Sequence, residues 1–236
     1  MTFLTYRMVF IATALVLGVT LIIPVAAAAP APQVIDRIVA TVNGQIILQS
    51  DLDEAFCYEA LLTNRSLADL GDDDRRAVLD RLVDQELLRE QMKSADFSHA
   101  TDAEITARIS DARHQYPQGA SDDAWSALLA SYHLTEKDLF THVQQQIDLM
   151  RLVDARLRPA VQIDSKSIEA YYRDQFVPKL KQAGSSEVSL AEVAPKIREL
   201  LTQQKVSEML VSWLQTLRSE GDVHIPGSTD QGVRSQ

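Results

Sequence analysis

The side chains best suited to acid–base or metal chemistry in this chain are its five histidines. They are spread along the sequence, at His99, His114, His133, His142 and His224. His133 and His142 lie nine residues apart across a predicted helix start, which is a poor spacing for two ligands of one metal ion. The sequence therefore predicts surface or helix-capping histidines and no metal site.

Nucleophilic and phosphate-binding chemistry is also without a recognisable motif. Cys57 is the only cysteine, and its apolar neighbours Phe56 and Tyr58 predict a buried thiol and no reactive one. The chain contains no G-x-S-x-G, H-E-x-x-H, C-x-x-C or P-loop pattern, and its carboxylates are scattered at helix-surface spacing. We therefore predict no catalytic residue and no cofactor.

The charge balance argues against a nucleic-acid partner. The chain has a formal net charge of −10, and no basic patch is visible in it. The densest charge run, Asp72-Asp73-Asp74, is typical of the first turn of a helix, where acidic side chains favour the positive end of the dipole.

The first 28 residues have the pattern of a secretory signal peptide. Arg7 precedes an almost wholly apolar run, Met8 to Val25, and small residues follow at Ala26 to Ala29. We expect cleavage after Ala27 or Ala28, with no stable membrane insertion afterwards. An uncleaved membrane anchor is the alternative, since the apolar run is close to the length that spans a bilayer.

A β-hairpin is predicted directly after this leader. Asn43-Gly44 separates two apolar runs, Ile38 to Val42 and Ile46 to Leu48, and this dipeptide favours a type I′ turn. The expected register places Val42 opposite Gln45, Ala40 opposite Ile47 and Val39 opposite Leu48. An isolated hairpin is marginal in water, so we expect a third strand, and the alternation of Val223 and Ile225 near the C-terminus suggests it.

Most of the remaining chain has the apolar spacing and the capping residues of α-helices. The predicted helices begin at Ser50 as N-cap, span 72–94 and 102–114, begin again after Ser121 and after Thr135, and span 164–172 and 190–219. A flexible joint is predicted at 179–187, followed by a capping box at 189–192. The fold class expected from these elements is mainly α, with a small N-terminal hairpin joined by a short C-terminal strand.

Two of the predicted helices carry expectations about their apolar side chains. The helix after Thr135 is expected to bury one face, which carries Leu139, Val143, Ile147, Met150, Val153 and Leu157. In the last helix, Trp213 is expected in the core because this helix has the most regular apolar repeat.

Segments at both ends of the chain resemble the SurA-like periplasmic chaperones, which handle unfolded outer-membrane proteins. The first segment is 34–52, which contains the hairpin, and the second is 196–225. The stretches 79–88, 134–148 and 161–172 also fit. The resemblance implies a chaperone core at 33–225, divided into a helical part at 33–160, a joint at 161–188 and a C-terminal helix and strand at 189–225. The residues 226–236 are predicted to be a disordered tail.

The parvulin prolyl isomerase module that such chaperones usually carry has no room here. That module needs on the order of 90–100 residues, whereas only 16 residues separate Tyr172 from Ser189. No Gly-Gly pair is present, and none of the histidines fits the parvulin pattern. The resemblance thus implies a core from which the isomerase has been lost.

The expected function is ATP-independent, non-catalytic binding of unfolded polypeptides in the periplasm, with outer-membrane protein precursors as the clients. Grooves between packed helices would supply the binding surface, and the candidate client-binding residues are Tyr171, Tyr172, Phe140 and Trp125. The alternatives are a parvulin-type isomerase with a degenerate site and a membrane-anchored assembly factor of the same fold.

Overall fold

The fold is mainly α-helical, with a small antiparallel sheet built from both ends of the described chain. The computed structural model describes residues 36–184 and 188–226, so the predicted signal peptide and the tail after Pro226 lie outside the described residues. The strands are β1 (Ile38–Val42), β2 (Gln45–Leu48) and β3 (Val223–His224). The helices are α1 (Gln49–Leu62), α2 (Asp72–Met92), α3 (Asp102–Arg113), α4 (Asp122–Ser131), α5 (Glu136–Leu157), α6 (Ser165–Tyr171), α7 (Val177–Gln182) and α8 (Leu190–Glu220).

The sheet confirms that the C-terminal strand joins the hairpin. Its strand order is β2-β1-β3, and β3 pairs with β1 through Thr41 opposite His224 and Val42 opposite Val223. The turn between β1 and β2 has positive φ at both Asn43 (49°) and Gly44 (82°). This is the conformation that a type I′ hairpin turn requires.

The register of the hairpin differs from the expected one at its open end. Ala40 pairs with Ile47 and Val42 with Gln45, as predicted, but Leu48 pairs with Ile38. Val39 is therefore the additional residue of a β-bulge. The bulge allows the neighbouring Val39 and Ala40 both to be buried, whereas strict alternation would turn one of them towards solvent.

The prediction of Ser50 as the N-cap of α1 is wrong. The strand β2 runs directly into the helix, so the N-cap is Leu48, and the Asp51 carboxylate accepts the Leu48 N–H at 2.8 Å. The Ser50 hydroxyl instead donates to the carboxylate of Asp36. The Asp51 carboxylate thus satisfies the N–H of the N-cap residue itself, whereas a serine N-cap would have satisfied an N–H of the first helical turn.

The first part of the joint predicted at 161–188 is helical, because the chain stays helical beyond Tyr171. A π-helical turn covers Tyr172–Phe176 and leads into α7, where Pro178 is tolerated because the first turn of a helix leaves its N–H groups without partners. The expected capping box before α8 is absent, since the side chain of Ser189 makes no capping hydrogen bond. Pro195 is accommodated inside a continuous α8.

The buried side chains of the described residues form three clusters. The sheet core contains Val39, Ala40, Val42, Ile47, Leu52, Phe56, Val78, Val83 and Leu87. The helix core contains Leu61, Ala100, Ile105, Trp125, Leu129, Leu134, Leu139 and Val143. The α6–α8 core contains Ile168, Val193 and Ile197.

The length of α8 explains why one core is not enough. Its 31 residues extend roughly 46 Å at 1.5 Å per residue, which is longer than a small cluster of side chains. Its first turns pack in the α6–α8 core through Val193 and Ile197, and Leu217 near its end packs against the sheet core. The helix therefore connects the two cores. Within residues 36–184 and 188–226, no helix combines the length and the hydropathy needed to cross a bilayer.

Candidate functional site

An open groove lies where four helices and the hairpin meet. It has a volume of about 780 Å³ and is bounded by β2, α1, α2, α5 and the middle of α8. β2 contributes Ile46 and Ile47, which lie between the hairpin turn and the start of α1. The groove thus brings together parts of the chain that are up to about 160 residues apart, because Leu210 of α8 also lines it.

The walls of the groove carry large apolar side chains that remain exposed. Ile46 is 55% exposed, Met150 58% and Leu62 49%, and all three line the groove. Exposed apolar surface of this kind, gathered in one concave place and rimmed by polar groups, marks an interaction site more often than scattered single residues do.

The exposure of Met150 corrects the face that was predicted for α5. Leu139, Val143 and Leu157 of this face are buried, but Met150 and Val153 line the groove. At about 100° per residue, Met150 lies on the same side of the helix as Val143, two turns earlier. Its exposure follows from the open groove that borders this part of α5.

The charged side chains of the groove are mostly acidic. Five carboxylates line it, from Asp51, Glu54, Glu59, Glu86 and Asp154, against two arginines. The two arginines are already paired across or along the wall, since Arg81 bonds to Glu59 and Arg89 bonds to Glu86. The groove therefore offers negative charge to whatever enters it.

His142 forms part of the α5 wall and contacts α1. Its ring stacks on Tyr58 with centroids 4.3 Å apart, and its Nε2 lies 2.9 Å from Oε1 of Glu54 without the alignment of a hydrogen bond. Burial lowers the pKa of His142 below its ordinary value, although the carboxylate of Glu54 acts in the opposite direction. The environment of His142 therefore disfavours a charged imidazole beside Glu54.

The four predicted client-binding residues lie away from this groove. Trp125 is only 2% exposed in the helix core, next to Tyr116 with ring centroids 5.8 Å apart, so it presents no surface to a client. Phe140 is half-buried against the same core.

The two adjacent tyrosines, Tyr171 and Tyr172, both pack against the α6–α8 core. The hydroxyl of Tyr172 donates to the carbonyl of Val188 at 2.7 Å. The π-helical turn that begins at Tyr172 changes the helical phase, which allows neighbouring residues to share one side.

Trp213 is half-buried, so its predicted core position is wrong. The guanidinium of Arg156 lies over its ring at 5.8 Å from the centroid. The groove is also lined by one tyrosine, Tyr58, and one methionine, Met150. Their position at the groove could not be predicted from sequence spacing, because the elements that form the groove are distant in sequence.

The described part of the chain has no cluster of side chains suited to bind a metal ion. Within residues 36–184 and 188–226, no three His, Cys, Asp or Glu side chains are grouped to hold a metal ion. Cys57 is half-buried against the helix core, and burial raises the pKa of its thiol. The raised pKa keeps the thiol protonated and unreactive.

Comparison with solved structures finds a chain of low sequence identity. The structures of the virulence factor PEB4 and the periplasmic protein Cj1289, two structurally related SurA-like chaperones of Campylobacter jejuni, include a chain that is 11% identical with a TM-score of 0.47. The match covers 80% of this chain and 98% of that chain. Comparison with the curated proteins finds no match.

The sequence itself identifies the family. A family model described as the SurA-like N-terminal domain matches residues 3–153, which is more than half of the chain and includes the hairpin and α1 to most of α5. The chain therefore belongs to the family of SurA-like N-terminal domains.

Proposed function

We propose that this protein is an ATP-independent chaperone that binds unfolded polypeptides in the groove between β2, α1, α2, α5 and α8. The observation that carries the proposal is the exposure of Ile46, Leu62 and Met150 in one concave surface. Family membership supports the same function. The clients that we propose are precursors of outer-membrane proteins in the periplasm.

The properties of the groove suit a binder of many sequences. Its apolar residues include an unbranched methionine, whose flexible side chain adapts to differently shaped partners. The net charge of −10 keeps a molecule with exposed apolar surface soluble. Since the sequence carries no nucleotide-binding motif, we propose that binding and release follow from affinity alone.

The test is suppression of aggregation by variants of the groove. The wild-type protein should suppress aggregation of an unfolded outer-membrane protein without ATP at near-stoichiometric ratio, as measured by light scattering. Met150→Glu should weaken this activity several-fold, because it places a charge in the apolar wall. Val211→Glu is the matched control, since Val211 is 56% exposed on α8 and does not line the groove.

Two results would contradict the proposal. A wild-type protein that leaves aggregation unchanged would exclude the chaperone function. Equal activity of Met150→Glu, Val211→Glu and the wild type would place binding elsewhere on the molecule.

We also propose that the protein is not an isomerase. The uncatalysed cis–trans step of a prolyl peptide takes tens to hundreds of seconds, so that even weak catalysis is measurable. We expect no acceleration by the purified protein, and an acceleration that survives repurification would favour a degenerate isomerase.

Sequencing the N-terminus of the exported protein separates cleavage near residue 28 from a retained membrane anchor.

A further inference from the structure

The strand β2 is the outer strand of the sheet on the side of the groove. The strand order β2-β1-β3 leaves one long side of β2 without a neighbouring strand among the described residues. An unpaired strand edge presents N–H and C=O groups that can pair with another chain. The register of the hairpin determines which groups those are.

The backbone groups of Ile46 point to this free edge. Val42 and Gln45 close a two-residue turn, and such a closing pair is hydrogen-bonded. In antiparallel strands, hydrogen-bonded and non-hydrogen-bonded pairs alternate, so Thr41 and Ile46 form a non-hydrogen-bonded pair. The outward groups of Thr41 pair with β3 at His224, and the N–H and C=O of Ile46 point away from β1.

This edge is accessible and adjoins the groove. Ile46 is 55% exposed, and its side chain lines the groove. β2 also lacks the lysine and proline residues with which natural proteins commonly protect an edge, since it reads Gln45-Ile46-Ile47-Leu48. An extended segment paired with Ile46 would therefore lie at the mouth of the groove, with every second side chain directed to the same face.

The charges beside the edge indicate the side chains that such a segment should carry. Asp51 and Glu54 follow β2 on the first turns of α1, three residues apart, and both line the groove. In the described part of the chain, neither forms an ion pair with lysine or arginine: Asp51 accepts the N–H of Leu48, and Glu54 faces the imidazole of His142. Two carboxylates without a lysine or arginine partner, both on exposed residues beside the edge, favour a cationic partner.

We propose that an extended polypeptide segment adds to β2 as a further strand at Ile46 and that it carries lysine or arginine beside its apolar residues. This inference rests on the proposed function and specifies how the client binds and which segments are preferred. A second copy of the chain is a poorer occupant. Each copy carries a formal net charge of −10, and molecules with a net charge of the same sign repel one another.

The backbone part of the proposal is tested by two substitutions at one position. Ile46→Ala shortens the side chain but keeps the outward N–H, whereas Ile46→Pro removes that donor as well; proline is tolerated at the outer edge of a sheet. Binding of a fluorescent peptide of alternating apolar residues and lysine is measured by anisotropy. Ile46→Pro should bind about fivefold more weakly than Ile46→Ala, since it loses a hydrogen bond and leaves a peptide carbonyl unpaired.

A change in the peptide provides the same test without altering the protein. N-methylation of alternate peptide amides removes the donors on one edge of the bound strand. One of the two methylation registers should weaken binding strongly and the other should not. Equal affinities for Ile46→Pro and Ile46→Ala, or equal effects of the two registers, would overturn the edge pairing.

The charge part is tested by exchanging lysine for glutamate in the peptide. The wild type should prefer the lysine peptide by about tenfold at low salt, and Glu54→Gln should reduce this preference to about threefold or less. Glu192→Gln is the control, because it removes the same charge from an exposed position of α8 that does not line the groove, and it should leave the preference in place. No preference in the wild type would overturn the charge requirement.

The outcome for Met150→Glu distinguishes this inference from the proposed function. If Met150→Glu loses both peptides while Ile46→Pro behaves as Ile46→Ala, the groove binds clients and only the edge pairing is wrong. If Met150→Glu binds both peptides as the wild type does, the proposed function itself fails. A chain that dimerises in sedimentation and becomes monomeric on Ile46→Pro would assign the edge to a second copy and overturn the proposal.

Discussion

The two tryptophans show how strongly the role of a residue depends on its surroundings. Trp125 was a candidate for client contact and is buried with 2% exposure, whereas Trp213 was expected in the core and is half-buried. Both lie on helices with regular apolar spacing. Trp125 is buried because α4 is enclosed by the helix core. Trp213 stays partly exposed because the middle of α8 borders an open groove.

The two residues should therefore differ in their contribution to stability. We expect Trp125→Ala to lower the free energy of unfolding by about 3–5 kcal/mol, the usual effect of emptying a buried aromatic site. Trp213→Ala should lower it by about 1–2 kcal/mol, because part of its surface is already in water. Urea unfolding followed by far-UV circular dichroism measures both, and a larger loss for Trp213→Ala would show that the helix core is not the more tightly packed region.

Glu104 makes a contribution to stability at the N-terminus of α3 that depends on pH. Its carboxylate accepts the Thr101 N–H and the Thr101 hydroxyl, both at 2.8 Å, and it pairs with Arg151 of α5. These hydrogen bonds, with those from Thr101 first, lower the pKa of Glu104 from 4.5 to about 2. Because the carboxyl binds its proton more weakly in the folded state, its stabilising contribution is complete above pH 4.5 and is lost as the pH falls towards 2.

The variant Glu104→Gln should reveal this contribution. Glutamine keeps a cap for the helix but cannot pair with the charge of Arg151. We expect the wild type to melt at a higher temperature than Glu104→Gln at pH 7 and the difference to vanish near pH 2. Exposed Glu136→Gln, which forms no ion pair in the described structure, is the control. A difference that grows as the pH falls would contradict the assignment.

At the scale of elements, the hairpin turn is hydrogen-bonded to the segment between α8 and β3. The Asn43 N–H donates to the carbonyl of Asp222 at 2.8 Å, and the Asp222 N–H donates to Oδ1 of Asn43 at 2.7 Å. The Asn43 side chain also donates to Glu90 of α2. One residue thus shapes the turn and holds the segment between α8 and β3 beside it.

Substitution of Asn43 can separate these two contributions. Asn43→Gly keeps the freedom to adopt positive φ but loses the side-chain bonds, and we expect a loss of about 1–2 kcal/mol in the free energy of unfolding. Asn43→Ala should lose about 1 kcal/mol more, the cost of a left-handed conformation for a residue with a Cβ. Chemical denaturation of both variants checks the order, and an equal loss for the two would mean that the turn carries no conformational strain.

At the scale of the whole molecule, α8 and β3 complete two of the three cores. They supply Leu217 and Val223 to the sheet core, together with Ile225 directly after β3, and two of the three buried residues of the α6–α8 core. The helix core receives no residue from them among those described. The sheet core and the α6–α8 core should therefore depend on the C-terminal elements, and the helix core should not.

A truncation ending at Gln182 should accordingly be destabilised without losing all helical structure. We expect retained helical circular dichroism from α3 to α5 with a broad thermal transition, because the sheet core loses its covering residues. Removal of residues 227–236 alone should leave the melting temperature unchanged. A fragment ending at Gln182 that melts cooperatively at the full-length temperature would show that the two ends are independent.

The sequence alone determined the features that depend on neighbouring residues. The type I′ turn follows from Asn43-Gly44, and the starts of α3, α4 and α5 follow from Thr101, Ser121 and Thr135, whose hydroxyls cap the helices as sequence spacing implies. The family was recognisable for the same reason, since its characteristic segments are continuous stretches. The fold class and the return of the C-terminal strand were also predictable from local patterns of apolar residues.

Only the tertiary structure decided where the candidate site lies. Ile46, Met150 and Leu210 meet in one groove although they belong to β2, α5 and α8, and no spacing in the sequence relates them. Periodicity indicates that a helix has an apolar face, but whether that face is covered depends on which elements pack against it. For the same reason the bulge at Val39 and the free edge at Ile46 appear only when the strands are paired.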